Sequence, residues 1–138
     1  MLNIASTIRN MDNLNPLLEA LISADLLNKL KESGPFTLFA PDDEAFTRLD
    51  PIIVADLIKD IPGLNRILLF HMTNRRYSLV DLIGMDTISS MEGSDIFIKT
   101  SYHKVKINDA FIIEEDIECS NGMIHIIDSM IFPSVVEF

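Results

Sequence analysis

The chain has 138 residues, 48% of them hydrophobic and 23% charged, which suits one domain with a sizeable core and excludes a linker or a disordered tail. Eleven basic residues against twenty-one acidic ones give a net charge of -10, a balance that repels phosphate backbones and argues against nucleic acid as a partner. The single cysteine, Cys119, cannot close an intramolecular disulfide, and no segment reaches the roughly 18 apolar residues of a membrane span.

Near the start, Leu17, Leu18, Leu21 and Ile22 recur at helical spacing, with Asn15 placed as an N-cap and Pro16 at the first helical position. A second run, Leu26, Leu27 and Leu30, stops at Ser33-Gly34-Pro35. Phe36 to Ala40 is a short apolar run with aromatic and β-branched members, the pattern of a core strand that Pro41 ends. Asp42 or Asp43 then caps a short helix holding Ala45 and Phe46. Asp50-Pro51 repeats the cap-plus-proline signal before Ile53, Val54, Leu57 and Ile58, and Pro62-Gly63 separates that helix from another through Ile67 and Leu68, ending near His71.

From Thr87 the period changes to two. Ile96 and Ile98 alternate with Asp95, Phe97 and Lys99, and Val105 and Ile107 alternate with Lys104 and Lys106. Turn residues separate these runs at Glu92-Gly93-Ser94, Ser101 to His103, and Asn108-Asp109. Asn121-Gly122 reads as a type I′ hairpin turn, with positive φ expected at both positions. Helices first and a meander afterwards mean α+β, with the Phe36 to Ala40 strand joining the later ones.

Residues that could carry chemistry have competing structural readings. His71 and His125 lack the ligand spacings of a zinc site and are expected to be buried imidazoles, each satisfied by one donor and one acceptor bond. In an extended segment Glu114, Asp116 and Glu118 would share one face, a weak arrangement for a cation and no catalytic pair. Cys119-Ser120-Asn121-Gly122 lacks a nucleophile elbow, and no basic residue adjoins Cys119 in sequence. The three lysines with His103 read as a solvated strand edge. Nothing calls for a cofactor or a metal.

Read in order, IASTI near the start, GPFTLFAPDDEAF (Gly34 to Phe46), LLFHM (Leu68 to Met72) and NGMIHIIDSMIFP (Asn121 to Pro133) resemble the fasciclin (FAS1) domain of the beta-Ig-H3 type. The resemblance runs from about residue 4 to 133, leaving 134–138 as a short tail of a single domain. It implies a wedge-shaped sandwich of two β-sheets with helices packed around it. Phe36, Phe39, Ala40, Pro41, Asp42, Ala45, Phe46, His71, Asn121, Gly122, His125, Asp128 and Pro133 are then framework positions. Asp42-Asp43 stands where the family commonly has Thr-Asn or Ser-Asn, and Phe70 where Tyr often precedes the histidine. Asp116-Ile117 matches a pair that takes part in receptor recognition in some animal relatives, but the flanking Glu115 and Glu118 depart from that pattern.

The resemblance implies a non-catalytic adhesion module that binds a protein or polysaccharide at a cell surface or in extracellular matrix. Candidate contacts are Asp116, Ile117, Tyr102 and the turn Arg75-Arg76-Tyr77, because Arg and Tyr are over-represented at interface hot spots. The seven methionines leave a second reading open, a carrier of a small apolar ligand such as a lipid or pigment. A hydrolase using the acidic cluster is a remote third. The first thirteen residues carry no secretory pattern, so an intracellular location stays open unless a leader or anchor lies outside the sequence given.

Overall fold

The computed structural model describes residues 1–102 and 104–133, so His103 of the expected basic turn and the 134–138 tail lie outside the described residues. The helices are α1 (Ile4–Arg9), α2 (Asn15–Ser23), α3 (Asp43–Thr47), α4 (Pro51–Lys59), α5 (Ile61–Phe70) and α6 (Leu79–Ile83). The strands are β1 (Phe36–Pro41), β2 (Met72–Thr73), β3 (Thr87–Ser89), β4 (Asp95–Ser101), β5 (Lys104–Ile107), β6 (Ala110–Cys119) and β7 (Gly122–Ile127).

Carboxylate caps start three of the helices, two of them where the sequence suggests and the third at Asp60. Asp42 Oδ1 accepts the Ala45 N–H at α3 (2.9 Å), Asp50 Oδ1 that of Ile52 at α4 (2.8 Å), and Asp60 Oδ1 that of Gly63 at α5 (3.1 Å). Pro62 and Gly63 therefore sit inside the first turn of α5, and the break falls at Asp60, because a proline costs nothing where no intrahelical N–H bond is made. Asn15 does not cap α2: its amide donates back to the Asp12 carbonyl, and Asn15 is itself the first helical residue. Leu26, Leu27 and Leu30 are buried, yet the run between Asp25 and Ser33 makes only a single 3-10 turn at Lys29–Lys31. The unanticipated α6 begins with a reciprocal capping box between Ser78 and Asp81.

The strands are hydrogen-bonded in one order, β2-β1-β7-β6-β5-β4-β3. β6 joins two layers: Ala110 and Phe111 pair with β5, whereas Ile112 onward pairs with β7, across register shifts on either side of Glu114. The α+β class holds, and the expected pair of sheets is one sheet folded over through this bulged strand, since extra residues bend a strand and raise its local twist. The bulges also break the alternation expected along β6. Asp116 adopts φ 57°, so Glu114, Asp116 and Glu118 do not form one regular row.

β1 and β7 run parallel, and every residue of both is buried because each face meets a different core. Leu38, Ala40, Ile124 and Ile126 face the first, built by α1, α2, the 3-10 turn and α5 through Ile4, Leu17, Leu30 and Leu68. Phe39 and Ile127 face the second, with Phe70, Leu82, Ile96, Ile98, Val105 and Ile107.

Asn121-Gly122 works differently from a type I′ turn. Cys119 pairs with Gly122, so Ser120 and Asn121 occupy the turn, and neither Asn121 nor Gly122 has positive φ. Glycine is needed for space: a Cβ on Gly122 would lie 2.0 Å from the Phe36 carbonyl oxygen, where the parallel ladder begins. Asn121 is buried, its Oδ1 accepting the Ile4 N–H (2.9 Å) and its Nδ2 donating to the carbonyls of Leu30 (2.7 Å) and Glu32 (2.8 Å). One side chain thus ties α1 and the 3-10 turn to the β6–β7 hairpin.

Candidate functional site

Between β2 and α6 the chain runs through Asn74 to Ser78 without regular structure, and polar side chains from four strands hold its backbone. Thr37 Oγ1 of β1 donates to the Arg75 carbonyl (2.6 Å) and accepts the Tyr77 N–H (2.8 Å), while Thr73 Oγ1 of β2 donates to the same carbonyl (2.9 Å). His125 Nε2–H of β7 donates to the Tyr77 carbonyl (2.7 Å), which leaves His125 Nδ1 to accept the Asp116 N–H (3.1 Å). Asp116 Oδ1 of β6 accepts the Leu79 N–H (2.9 Å). The His125 ring stacks on Phe39 with centroids 5.8 Å apart, fixing its plane.

Three of the candidate contacts are committed to this framework. Arg76 donates to the Gly122 carbonyl (2.9 Å) and pairs with Glu118 (3.0 Å), clamping the β6–β7 hairpin. Asp116 caps the loop's return to α6, and Ile117 packs against the first core. Arg75 and Tyr77 instead line an open polar hollow of about 360 Å³ with Thr73, Asn74, Thr87 and Ser90. Ser90 Oγ is buried there and has no hydrogen-bond partner among the described residues. Tyr102 is elsewhere, on the β4–β5 turn, so the structure brings Arg75, Arg76, Tyr77, Asp116 and Ile117 to one region and leaves Tyr102 apart.

Asn74 and Ser90 were not anticipated, since a lone Asn and a Ser before a turn carry no pattern. Thr37 and Thr73 were hidden inside apolar runs. The Ser78-x-x-Asp81 spacing was a usable signal for the loop's end.

His71 belongs to the framework. Its Nδ1–H donates to the Ile67 carbonyl (2.8 Å) and its Nε2 accepts the Ile131 N–H (3.2 Å), joining α5 to the segment after β7. Both ring nitrogens are used in the neutral form. Burial lowers its pKa from 6.5 to about 4, the Ile67 bond opposing the shift only in part. The unfolded chain therefore binds a proton first as pH falls, and stability is lost through the window from 6.5 down to about 4. Between pH 7.5 and 5 the His71 contribution is expected to fall by about 2 kcal/mol. Urea unfolding of the wild type and His71→Gln at both pH values checks it: the difference between the two proteins should shrink by that amount. Burial also lowers the His125 pKa and pushes the Cys119 thiol up, the latter despite the nearby Arg76.

Other framework positions behave alike. Asp128 Oδ1 accepts the Phe111 N–H (2.9 Å) and the Asp128 N–H donates to the Phe111 carbonyl (3.1 Å), extending the β6–β7 pairing. Phe46 packs on the first core, and Pro133 is half-buried at the end of the described chain. Glu114, Glu115, Asp116 and Glu118 are exposed, and no group of three metal-binding side chains occurs among the described residues.

Comparison with known proteins agrees with this architecture. The profile of the Fasciclin domain family matches residues 12–133. An uncharacterized protein of Synechocystis sp. is 37% identical, over 95% of this chain and 98% of its own. Human periostin is 29% identical over 95% of this chain, which spans 16% of periostin's length. The solved FAS1 domain pair of the insect cell adhesion molecule fasciclin I superposes with a TM-score of 0.78 at 19% identity, over 95% of this chain and 51% of that one. In sequence as in fold, the chain belongs to the fasciclin domain family.

Proposed function

We propose that this chain is one non-catalytic FAS1 interaction domain that binds a protein or carbohydrate at a cell surface or in extracellular matrix, through the surface around Arg75 and Tyr77. The observation that carries the reading is the contrast within residues 74 to 77. The backbone is pinned by Thr37, Thr73 and His125, while Asn74 and Arg75 project from it beside a polar hollow. A loop ordered before binding loses little freedom when a partner arrives, so its polar contacts count more fully toward affinity. The adhesion molecule among the structural neighbours supports the same reading. His71 and His125 spend both ring nitrogens on backbone bonds that hold the framework.

Affinity capture from native cell envelope and culture supernatant, with mass spectrometry of the retained material, tests it. Arg75→Ala and Tyr77→Phe should each weaken retention of that material by at least about fivefold, the loss typical of a hot-spot truncation. Retention unchanged in both variants would place recognition elsewhere.

A carrier role has one specific observation in its favour, an apolar groove of about 360 Å³ between α2, α3, α4 and α5, lined by Ala20, Phe46, Val54, Leu57 and Leu64. No residue of α4 is buried, and Ile52 and Ile58 are 70% and 66% exposed. Of the methionines only Met130 lines this groove; Met72 and Met123 are buried elsewhere, and Met11 and Met91 pack on the first core. Absorbance and mass spectrometry of the protein from its native source decide, a bound pigment or lipid favouring the carrier.

A further inference from the structure

In β4 and β5, Ile98, Val105 and Ile107 enter the second core, and strand alternation sends Lys99, Lys104 and Lys106 to the opposite, outward face. Lysines on edge strands are ordinary protection against aggregation. That account reaches only part of the row: β3 pairs with β4 only from Asp95 to Phe97 and β6 with β5 only at Lys106 and Ile107, so Lys99 and Lys104 stand where one strand edge is open, whereas Lys106 is paired on both sides. The expected solvated edge therefore describes Lys99 and Lys104, and edge protection leaves unexplained why Lys106, inside the sheet, repeats the charge beside the Phe111 ring. Lys99 and Lys106 are direct cross-strand partners, and like charges so placed destabilise a sheet. No carboxylate lies within 4.0 Å of the three ammonium groups among the described residues, in a chain with twenty-one acidic side chains.

Aromatic surface accompanies the charge. Lys104 Nζ and Lys106 Nζ stand 5.7 and 5.5 Å from the centroid of the Phe111 ring, which belongs to the register partner of Lys106. Tyr102 is 94% exposed at the turn, and Phe97 is exposed on β4. Lys99, Ser101, Tyr102, Lys104, Lys106 and Phe111 line one shallow hollow of about 380 Å³.

We propose that this face binds an anionic polysaccharide whose sugar rings carry carboxylates. A uronic acid chain offers what the face accepts: apolar C–H faces for Tyr102 and Phe111, and a regular row of carboxylates for the lysines. Adjacent strands are about 4.8 Å apart and alternate residues about 6.7 Å, a grid on the scale of successive sugar rings. The net charge of -10 selects a single chain over an extended anionic plane. Fields beyond roughly 8 Å are screened at physiological salt, so a thin polymer meets only the local lysines, whereas a membrane or a duplex also faces the surrounding acidic surface. The site is independent of the Arg75 surface, since its variants leave that loop untouched.

The test is titration of the full chain with polygalacturonate, neutral dextran and phosphatidylglycerol vesicles at several salt concentrations. Polygalacturonate should bind, more weakly as salt rises, and dextran should not. The triple variant Lys99→Gln, Lys104→Gln, Lys106→Gln should bind at least about tenfold more weakly. A control with the same change in charge, Arg9→Gln, Lys31→Gln, Lys59→Gln, should stay within about twofold, since charges farther away than the screening length contribute little. Circular dichroism establishes that both fold. The proposal is overturned if the wild type ignores polygalacturonate, if both triple variants lose binding equally, or if the vesicles bind as tightly as the polymer.

Discussion

Gly122→Ala is expected to destabilise the protein by at least about 3 kcal/mol, the upper range for forcing atoms into a packed interior. The new Cβ would meet Phe36 O at 2.0 Å, Phe36 C at 2.8 Å and Phe36 N at 2.9 Å, all backbone atoms. A flexible side chain could swing away; a strand cannot. Relief requires β7 to move off β1, which opens the ladder from Phe36–Gly122 to Pro41–Ile127 and separates the faces of both cores. Gly84→Ala provides the comparison, because nothing lies within 4 Å of its Cβ position and its φ is -90°. That variant should stay within about 0.5 kcal/mol of wild type. Urea unfolding of both checks the account, and equal midpoints would refute it.

The second large effect is expected at Asn121→Ala, about 3 to 5 kcal/mol. Alanine leaves the Ile4 N–H and the Leu30 and Glu32 carbonyls without their partner, and stranded polar groups in a buried setting cost roughly 1–3 kcal/mol each. The loss should be local before it is global. Hydrogen exchange at the Ile4 amide, protected in the wild type, should accelerate more than exchange in β4 and β5, which Asn121 does not touch. Asn121→Asp keeps an acceptor for Ile4 but aims a carboxylate at two carbonyl oxygens, so it should not restore stability.

These two positions also show how far the sequence could be read. Asn-Gly between apolar runs marked the hairpin correctly, yet the reason lay in residues 85 or more positions away, Phe36, Leu30 and Ile4, which no local rule for turns brings together. The same limit applied to β6. Period-two alternation identified Ile96, Ile98, Val105 and Ile107 as core, because those strands pair regularly, but a bulge at Glu114 and a left-handed Asp116 leave no mark in composition. Caps were legible where a carboxylate preceded a proline or an apolar run, as at Asp42 and Asp50, and misleading at Asn15, whose amide had a carbonyl three residues back to bond instead.

The candidate site was legible as a location and illegible as a mechanism. Arg75-Arg76-Tyr77 and Asp116-Ile117 do meet, but three of the five residues are engaged with other parts of the chain. Arg76 clamps the hairpin, Asp116 caps the loop's end, and Ile117 packs. Residue type predicts what a side chain can bond, whereas which bonds are made depends on Thr37, Thr73 and His125 arriving from other strands. His71 and His125 are the converse case. Their one-donor, one-acceptor bonding follows from imidazole chemistry once they are placed in apolar runs, and only the partners needed the fold.

The central claim is that this fold separates scaffold from recognition, with Thr37 and His125 fixing a loop from which Arg75 projects. Unfolding free energy and retention of captured envelope material, measured together on Arg75→Ala, test it most directly. The account predicts stability within about 0.5 kcal/mol of wild type, as for a surface substitution, with retention reduced at least about fivefold. Undiminished retention, or a loss of binding that only accompanies a loss of stability, would contradict it.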